Sequence, residues 1–117
     1  MRNSFETAFN KVAATAPATS SAIIALNLYR GSVQATFSAA NSGTLKIQVS
    51  NDVPPGSPTY AFTPTNWSDL AGASATIAGA TSALIPVTEL SYYWVRLVWT
   101  PTAGAGTITA QVQALGF

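Results

Sequence analysis

Thr44-Leu45-Lys46-Ile47-Gln48-Val49-Ser50 is the stretch that decides the fold class. Leu45, Ile47 and Val49 occupy every second position, with polar residues between them. A chain with that period of two turns one face to a core and the other to water, the pattern of an antiparallel strand and not of a helix. Working outward, Ser32-Val33-Gln34-Ala35-Thr36-Phe37-Ser38 repeats the alternation, and so does Thr107-Ile108-Thr109-Ala110-Gln111-Val112-Gln113. In Tyr92-Tyr93-Trp94-Val95-Arg96-Leu97-Val98-Trp99 the same rule puts Tyr93, Val95, Leu97 and Trp99 on one face. The predicted core is therefore Phe37, Leu45, Ile47, Val49, Val95, Leu97, Trp99, Ile108 and Val112, with Lys46, Gln48, Gln111 and Gln113 in solvent.

Between these stretches lie a more continuous apolar run, Ala22 to Tyr29, and shorter strand signals near Thr59 to Thr63, Ser74 to Ala78 and Ala83 to Val87. Turn formers punctuate them: Arg30-Gly31, Asn41-Ser42-Gly43, Pro54-Pro55-Gly56, Ala71-Gly72 and Ala103-Gly104-Ala105-Gly106. Many short strands at such spacing predict an all-β domain over residues 21–117, an antiparallel β-sandwich of jelly-roll type. There is also an internal repeat. Gly43-Thr44-Leu45-Lys46-Ile47-Gln48-Val49 after Val33 to Phe37 matches Gly106-Thr107-Ile108-Thr109-Ala110-Gln111-Val112 after Val95 to Trp99. Each copy reads as a hairpin whose glycine permits a positive φ in the turn, though chance likeness between Thr-rich hairpins accounts for the match equally well.

Residues 1–20 differ in kind. Phe5, Phe9 and Val12 stand at i, i+4 and i+7, the spacing of one helical face. Ala13 to Ser21 then has the composition of a linker. So short a helix is marginal alone in water. This N-terminal arm either lies loosely against the domain or docks its Phe face on a neighbouring subunit.

Composition limits the chemistry. The 117 residues suit one domain, and there is neither cysteine nor histidine. No disulfide or thiolate metal site can form, and the commonest general base and metal ligand are missing. The four carboxylates, Glu6, Asp52, Asp69 and Glu89, show no spacing that pairs them for acid–base work. Asn51-Asp52 and Ser68-Asp69 read as turn caps; a calcium site from Asn51, Asp52 and Asp69 would lack the alternating acids of dedicated loops. We expect no enzymatic activity, no cofactor and no metal. Five scattered basic residues and a net charge of +1 do not make the basic stripe that nucleic acid requires. No apolar run is long enough for a helical membrane span, and Glu6 and Asn10 interrupt any signal-peptide core. Only 8% of residues are charged, against about a quarter in ordinary domains. Such a neutral surface suits packing against other copies or a large assembly, so a homo-oligomer is expected.

The second face of the aromatic strand carries Tyr92, Trp94, Arg96 and Val98. Two readings stand. Arg96 lies over Trp94 or Tyr92 as a cation–π stack within the domain, or the stripe is a subunit or carbohydrate contact, since interfaces favour Trp, Tyr and Arg. Trp67, in Asn66-Trp67-Ser68-Asp69-Leu70, reads as a core plug beside a turn, with a sugar platform as the alternative.

Three of these blocks carry a resemblance: Gly43 to Asp52, Asn66 to Leu70, and Tyr93 to Ala110 with its Tyr-Trp-Val-Arg-Leu-Val-Trp-Thr-Pro-Thr-x-Gly-x-Gly-Thr run. Together they resemble a recurrent type of short bacteriophage protein, small virion components and head or tail accessory proteins. The likeness spans residues 22–117 and leaves out the arm and the Val53 to Pro58 loop. It implies a structural particle component present in several copies, located in the virion and partnered by itself and other virion proteins. The candidate contact residues are then Phe5, Phe9, Val12, Tyr92, Trp94, Arg96 and Val98. A binding module for host glycans, stacking sugars on Tyr92, Trp94 or Trp67, is the competing function.

Overall fold

A computed structural model describes residues 2–25, 28–52, 63–87 and 92–116. Its strands are β1 (Arg2–Ala13), β2 (Ala18–Thr19), β3 (Ile23–Ile24), β4 (Leu28–Ser50), β5 (Ser68–Val87), β6 (Trp94–Ala103) and β7 (Thr107–Gly116). Every pairing among them is antiparallel. They join in one sheet of order β1-β7-β4-β6-β2, with β3 on β6 and β5 on β4.

The architecture follows from the length of β4. A strand of 23 residues would run roughly 76 Å if straight, yet the molecule is 43 Å in its longest dimension. β4 therefore bends. Thr36 pairs with Ser82 and Asn41 with Ala80, so residues 37–40 of β4 stand against Thr81 alone. Surplus residues on one strand of a pair curl the ribbon locally. Before the bend β4 pairs with β7, up to Phe37 opposite Ile108; after it β4 pairs with β6, from Ser42 opposite Ala103 to Ser50 opposite Trp94. β5 follows β4 through both halves. The sheet curls into a half-barrel around one core, and the two separate sheets expected of a sandwich are replaced by a single bent one.

Asn41 holds the bend. It is 1% exposed, and its Nδ2 donates to the carbonyls of Ala39 (2.9 Å) and Ala105 (2.7 Å). Its Oδ1 accepts from the Ala105 N–H at 2.9 Å. The side chain thus ties the curl of β4 to the turn between β6 and β7. In that turn Gly106 has φ +66°, and a Cβ there would run into Ser38 Oγ. The positive φ anticipated for this glycine is present.

All nine predicted core residues are buried in one cluster, joined by Phe9, Val33, Ala35, Ile77, Ile85 and Ala110. Gln111 and Gln113 are exposed, and Lys46 and Gln48 are half-buried on the outer face.

Three expectations need correction. The N-terminal arm is a strand: β1 pairs with β7 from Arg2 opposite Gly116 to Ala13 opposite Thr107. The i, i+4, i+7 spacing is compatible with a strand because the register shifts between Thr7 and Phe9 and again between Phe9 and Val12. These irregularities separate side chains that plain alternation would align: Phe9 is 2% exposed in the core and Phe5 63% exposed. Next, Val33 to Phe37 and Leu45 to Val49 are not the two arms of a hairpin; both belong to β4, on either side of Asn41. The repeats interlock instead, the first arm of one pairing with the second arm of the other: Val33 opposite Val112, and Val49 opposite Val95. Finally, Arg30-Gly31 and Ala71-Gly72 lie inside strands, and the separate strands expected at Ser74–Ala78 and Ala83–Val87 merge into β5. Gly31 is there because a Cβ would strike the Gln113 carbonyl on β7. Residues 59–62 of the strand expected near Thr59 to Thr63, and the Pro54-Pro55-Gly56 turn, fall outside the described residues.

Candidate functional site

The outer face of the sheet carries a ladder of polar side chains across three strands. Gln48 on β4 pairs in register with Asp69 on β5 and with Arg96 on β6. Register fixes their contacts: directly opposed residues on neighbouring strands hold their side chains within reach of one another. Arg96 donates from Nε (2.9 Å) and Nη2 (2.7 Å) to Gln48 Oε1. Gln48 Nε2 donates onward to Asp69 Oδ1 at 3.0 Å. Lys46 Nζ reaches Asp69 Oδ2 at 3.2 Å. Hydrogen bonding from Gln48, and then Lys46, holds the Asp69 carboxyl below its ordinary pKa. Partial desolvation lowers Arg96, which remains a cation at any ordinary pH.

Arg96 also covers an aromatic. Its guanidinium carbon lies 4.2 Å from the centroid of the Trp67 ring, within cation–π range. The sequence-level expectation had Arg96 stacking on Trp94 or Tyr92; the partner is instead Trp67. Trp67 is half-buried and outside the core cluster, so it is not a core plug.

Asn51 and Asp52 position this aromatic and the start of β6 together. Asp52 Oδ2 accepts the N–H groups of Thr65 (2.8 Å) and Asn66 (2.9 Å), and Oδ1 accepts Asn66 Nδ2 at 3.0 Å. These bonds, the Asn66 side chain first, hold its pKa low. Trp67 Nε1 closes the segment on the Pro64 carbonyl at 3.2 Å. On the other side Asn51 Oδ1 accepts the Tyr93 N–H, and the Asp52 carbonyl accepts Trp94 Nε1, each at 2.9 Å. Asp52 therefore caps, as its sequence context suggested. Asp69 does not: it is a rung of the ladder inside β5.

The stripe of contact residues expected on β6 is divided. Trp94 is buried at 4% exposure and packs its ring 5.0 Å from that of Tyr93. Arg96 and Val98 are half-buried on the outer face. Tyr92 packs against the core and lines a cleft of about 420 Å³ with residues 70–73, Pro86 and Val87. On the arm, Phe9 is in this chain's own core, Val12 packs against it, and Phe5 alone projects. Among the described residues no three His, Cys, Asp or Glu side chains gather as a metal site would require. The surface can offer hydrogen bonds and part of an aromatic face.

The ladder went unread at the sequence level, although Gln48 and Arg96 both fell on outward positions. The missing information was the strand order: nothing local says that β6 and β5 flank β4.

No family profile and no curated protein matches this chain. Its fold is similar to that of the SPBc2 prophage-derived protein YomS, with a TM-score of 0.58 and 11% identity over 97% of this chain and 95% of that one. It is also similar to chitosan-binding module 1 of a chitosanase/glucanase from Paenibacillus sp. IK-5, with a TM-score of 0.54 and 21% identity over 86% of this chain and 71% of that one. At these identities what the three chains share is an all-β fold.

Proposed function

We propose that this protein is a non-enzymatic structural component of a bacteriophage particle, acting through contacts with other copies and other virion proteins. The observation that carries this reading is the surface. Lys46, Asp69 and Arg96 are drawn into one ladder with Gln48, and the exposed positions around them are mostly Ser, Thr, Ala, Gly and Gln. A face whose few charges are already bonded to their neighbours loses less on meeting another protein than one that must bury unpaired charges. The end-to-end likeness in fold to a prophage-derived protein and the resemblance of three sequence blocks to small virion components support the same reading. Mass spectrometry of purified particles tests it: the chain should be present in fixed, multiple copies. Particles that lack it would overturn the reading.

A second reading, a glycan-binding module, is favoured by one feature. Trp67 is half-buried beside the hydrogen-bonding groups of Arg96, Gln48 and Asp69, and an aromatic next to polar groups is the mix that sugar sites use. The likeness in fold to a chitosan-binding module adds to it. Titration with chitosan oligosaccharides, repeated on Trp67→Ala, separates the two. Saturable binding lost in the variant would favour this reading.

A further inference from the structure

The two long edges of the sheet are built differently. β1, the edge beyond β7, carries Glu6 and Lys11 and two register shifts, whereas the register shifts of β5 against β4 all lie outside residues 82–87. Charges and bulges are how natural proteins blunt a free edge against pairing with another chain. β5 is the edge beyond β4, and among the described residues it pairs with β4 alone. From Ser74 to Val87 it holds no charged residue, and within it Leu84 is 64% exposed. A neutral edge with a projecting leucine is the kind that pairs.

The last stretch of β5 shows how. Residues 82–87 pair regularly with Gly31 to Thr36 of β4. Pro86 has no N–H to give, and within a sheet proline sits where its N–H side faces away from the neighbouring strand. Backbone polar groups alternate sides along a strand, so those of Ser82 and Leu84 share the open side with Pro86. We propose that two copies of this chain pair antiparallel along this edge, with the two-fold axis at Leu84. Leu84 of each copy then stands opposite Leu84 of the other and exchanges both N–H···O=C bonds with it. The Ser82 N–H of each copy donates to the Pro86 carbonyl of the other. Proline, with no N–H to donate, ends the ladder, and the exposed Leu84 sets its centre. The two leucines bury each other, and with no charge from Ser74 to Val87 the symmetric arrangement brings no like charges together. A foreign strand would form the backbone bonds equally well, but self-pairing about Leu84 also removes this exposed leucine from water in both copies at once.

The pairing deepens the self-association part of the proposed function, yet it is tested on the isolated full chain and stands or falls apart from the particle. Sedimentation velocity over a range of concentrations should show a monomer–dimer equilibrium. Leu84→Lys, at an exposed position, should leave the circular dichroism unchanged and weaken association at least tenfold. Because the chain has no cysteine, single-cysteine variants report contact directly. Leu84→Cys should form a covalent dimer under mild oxidation, since opposed strand residues lie within disulfide reach, and Phe5→Cys on the other edge should not. A chain that stays monomeric at hundreds of micromolar, an association insensitive to Leu84→Lys, or preferential crosslinking through Phe5→Cys would each overturn the proposal.

Discussion

Phe37 and Trp99 meet with ring centroids 5.1 Å apart and planes tilted by 50°, and this contact clasps the curled sheet. Phe37 closes the half of β4 that pairs with β7, opposite Ile108; Trp99 lies on β6, opposite Leu45 in the other half. Trp99 is fully buried and its Nε1 donates to the Ala14 carbonyl at 3.0 Å, so the same side chain also fastens the end of β1. Phe37→Ala should cost about 3–5 kcal/mol in urea unfolding. Trp99→Phe should cost at least about 1–3 kcal/mol through the orphaned Ala14 carbonyl. Residues in contact are not additive; a double-mutant cycle coupling these two by less than about 0.5 kcal/mol would mean the halves are held elsewhere.

The arm separates in the same way. Phe9→Ala removes a side chain from the core and should cost about 3–5 kcal/mol in the isolated chain. Phe5→Ser, at a largely exposed position, should stay within about 0.5 kcal/mol of wild type. Thermal or urea unfolding decides it. Equal, small effects would return the arm to a loosely attached tail.

Asn41 should tolerate no replacement well. Asn41→Ala leaves the Ala105 N–H without its partner inside the bend and should cost about 1–3 kcal/mol. Asn41→Asp should be worse at neutral pH, because a carboxylate oxygen would face the Ala39 and Ala105 carbonyls that Nδ2 now serves. That extra loss should shrink as the pH falls and the acid is protonated. An Asn41→Asp variant as stable as wild type at neutral pH would contradict the assigned amide orientation.

Asp52 makes the fold sensitive to acid in a specified direction. Its folded pKa lies below the ordinary 3.8 because Asn66 and Thr65 donate to it. The stabilisation is therefore complete above the unfolded pKa and is lost as the pH falls through the lowered folded value. Wild type should lose stability as the pH falls below the ordinary carboxylate range, and Asp52→Asn should show a shallower acid limb, measured by urea unfolding at successively lower pH. Parallel acid limbs would show that the capping bonds contribute nothing in solution.

The strands and their inward faces were legible in the sequence alone. Leu45, Ile47, Val49, Ile108 and Val112 alternate with polar neighbours, and alternation is a property of the extended backbone itself, set residue by residue. Burial then follows for any fold that gives the strand one wet face. What the tertiary structure decided was pairing. Phe5, Phe9 and Val12 satisfy helical spacing as well as they satisfy a bulged strand; the free edge of β7 settled it, because a short segment takes the backbone hydrogen bonds its neighbours offer. Asn41-Ser42-Gly43 reads as a turn, yet β4 passes through it as a bend, since Asn41 finds its partner at Ala105, far along the chain. Arg96 found Trp67 for the same reason. Local pattern tells which way each side chain faces, but which strands lie side by side depends on edges and loops distant in sequence, and only the folded chain brings those together.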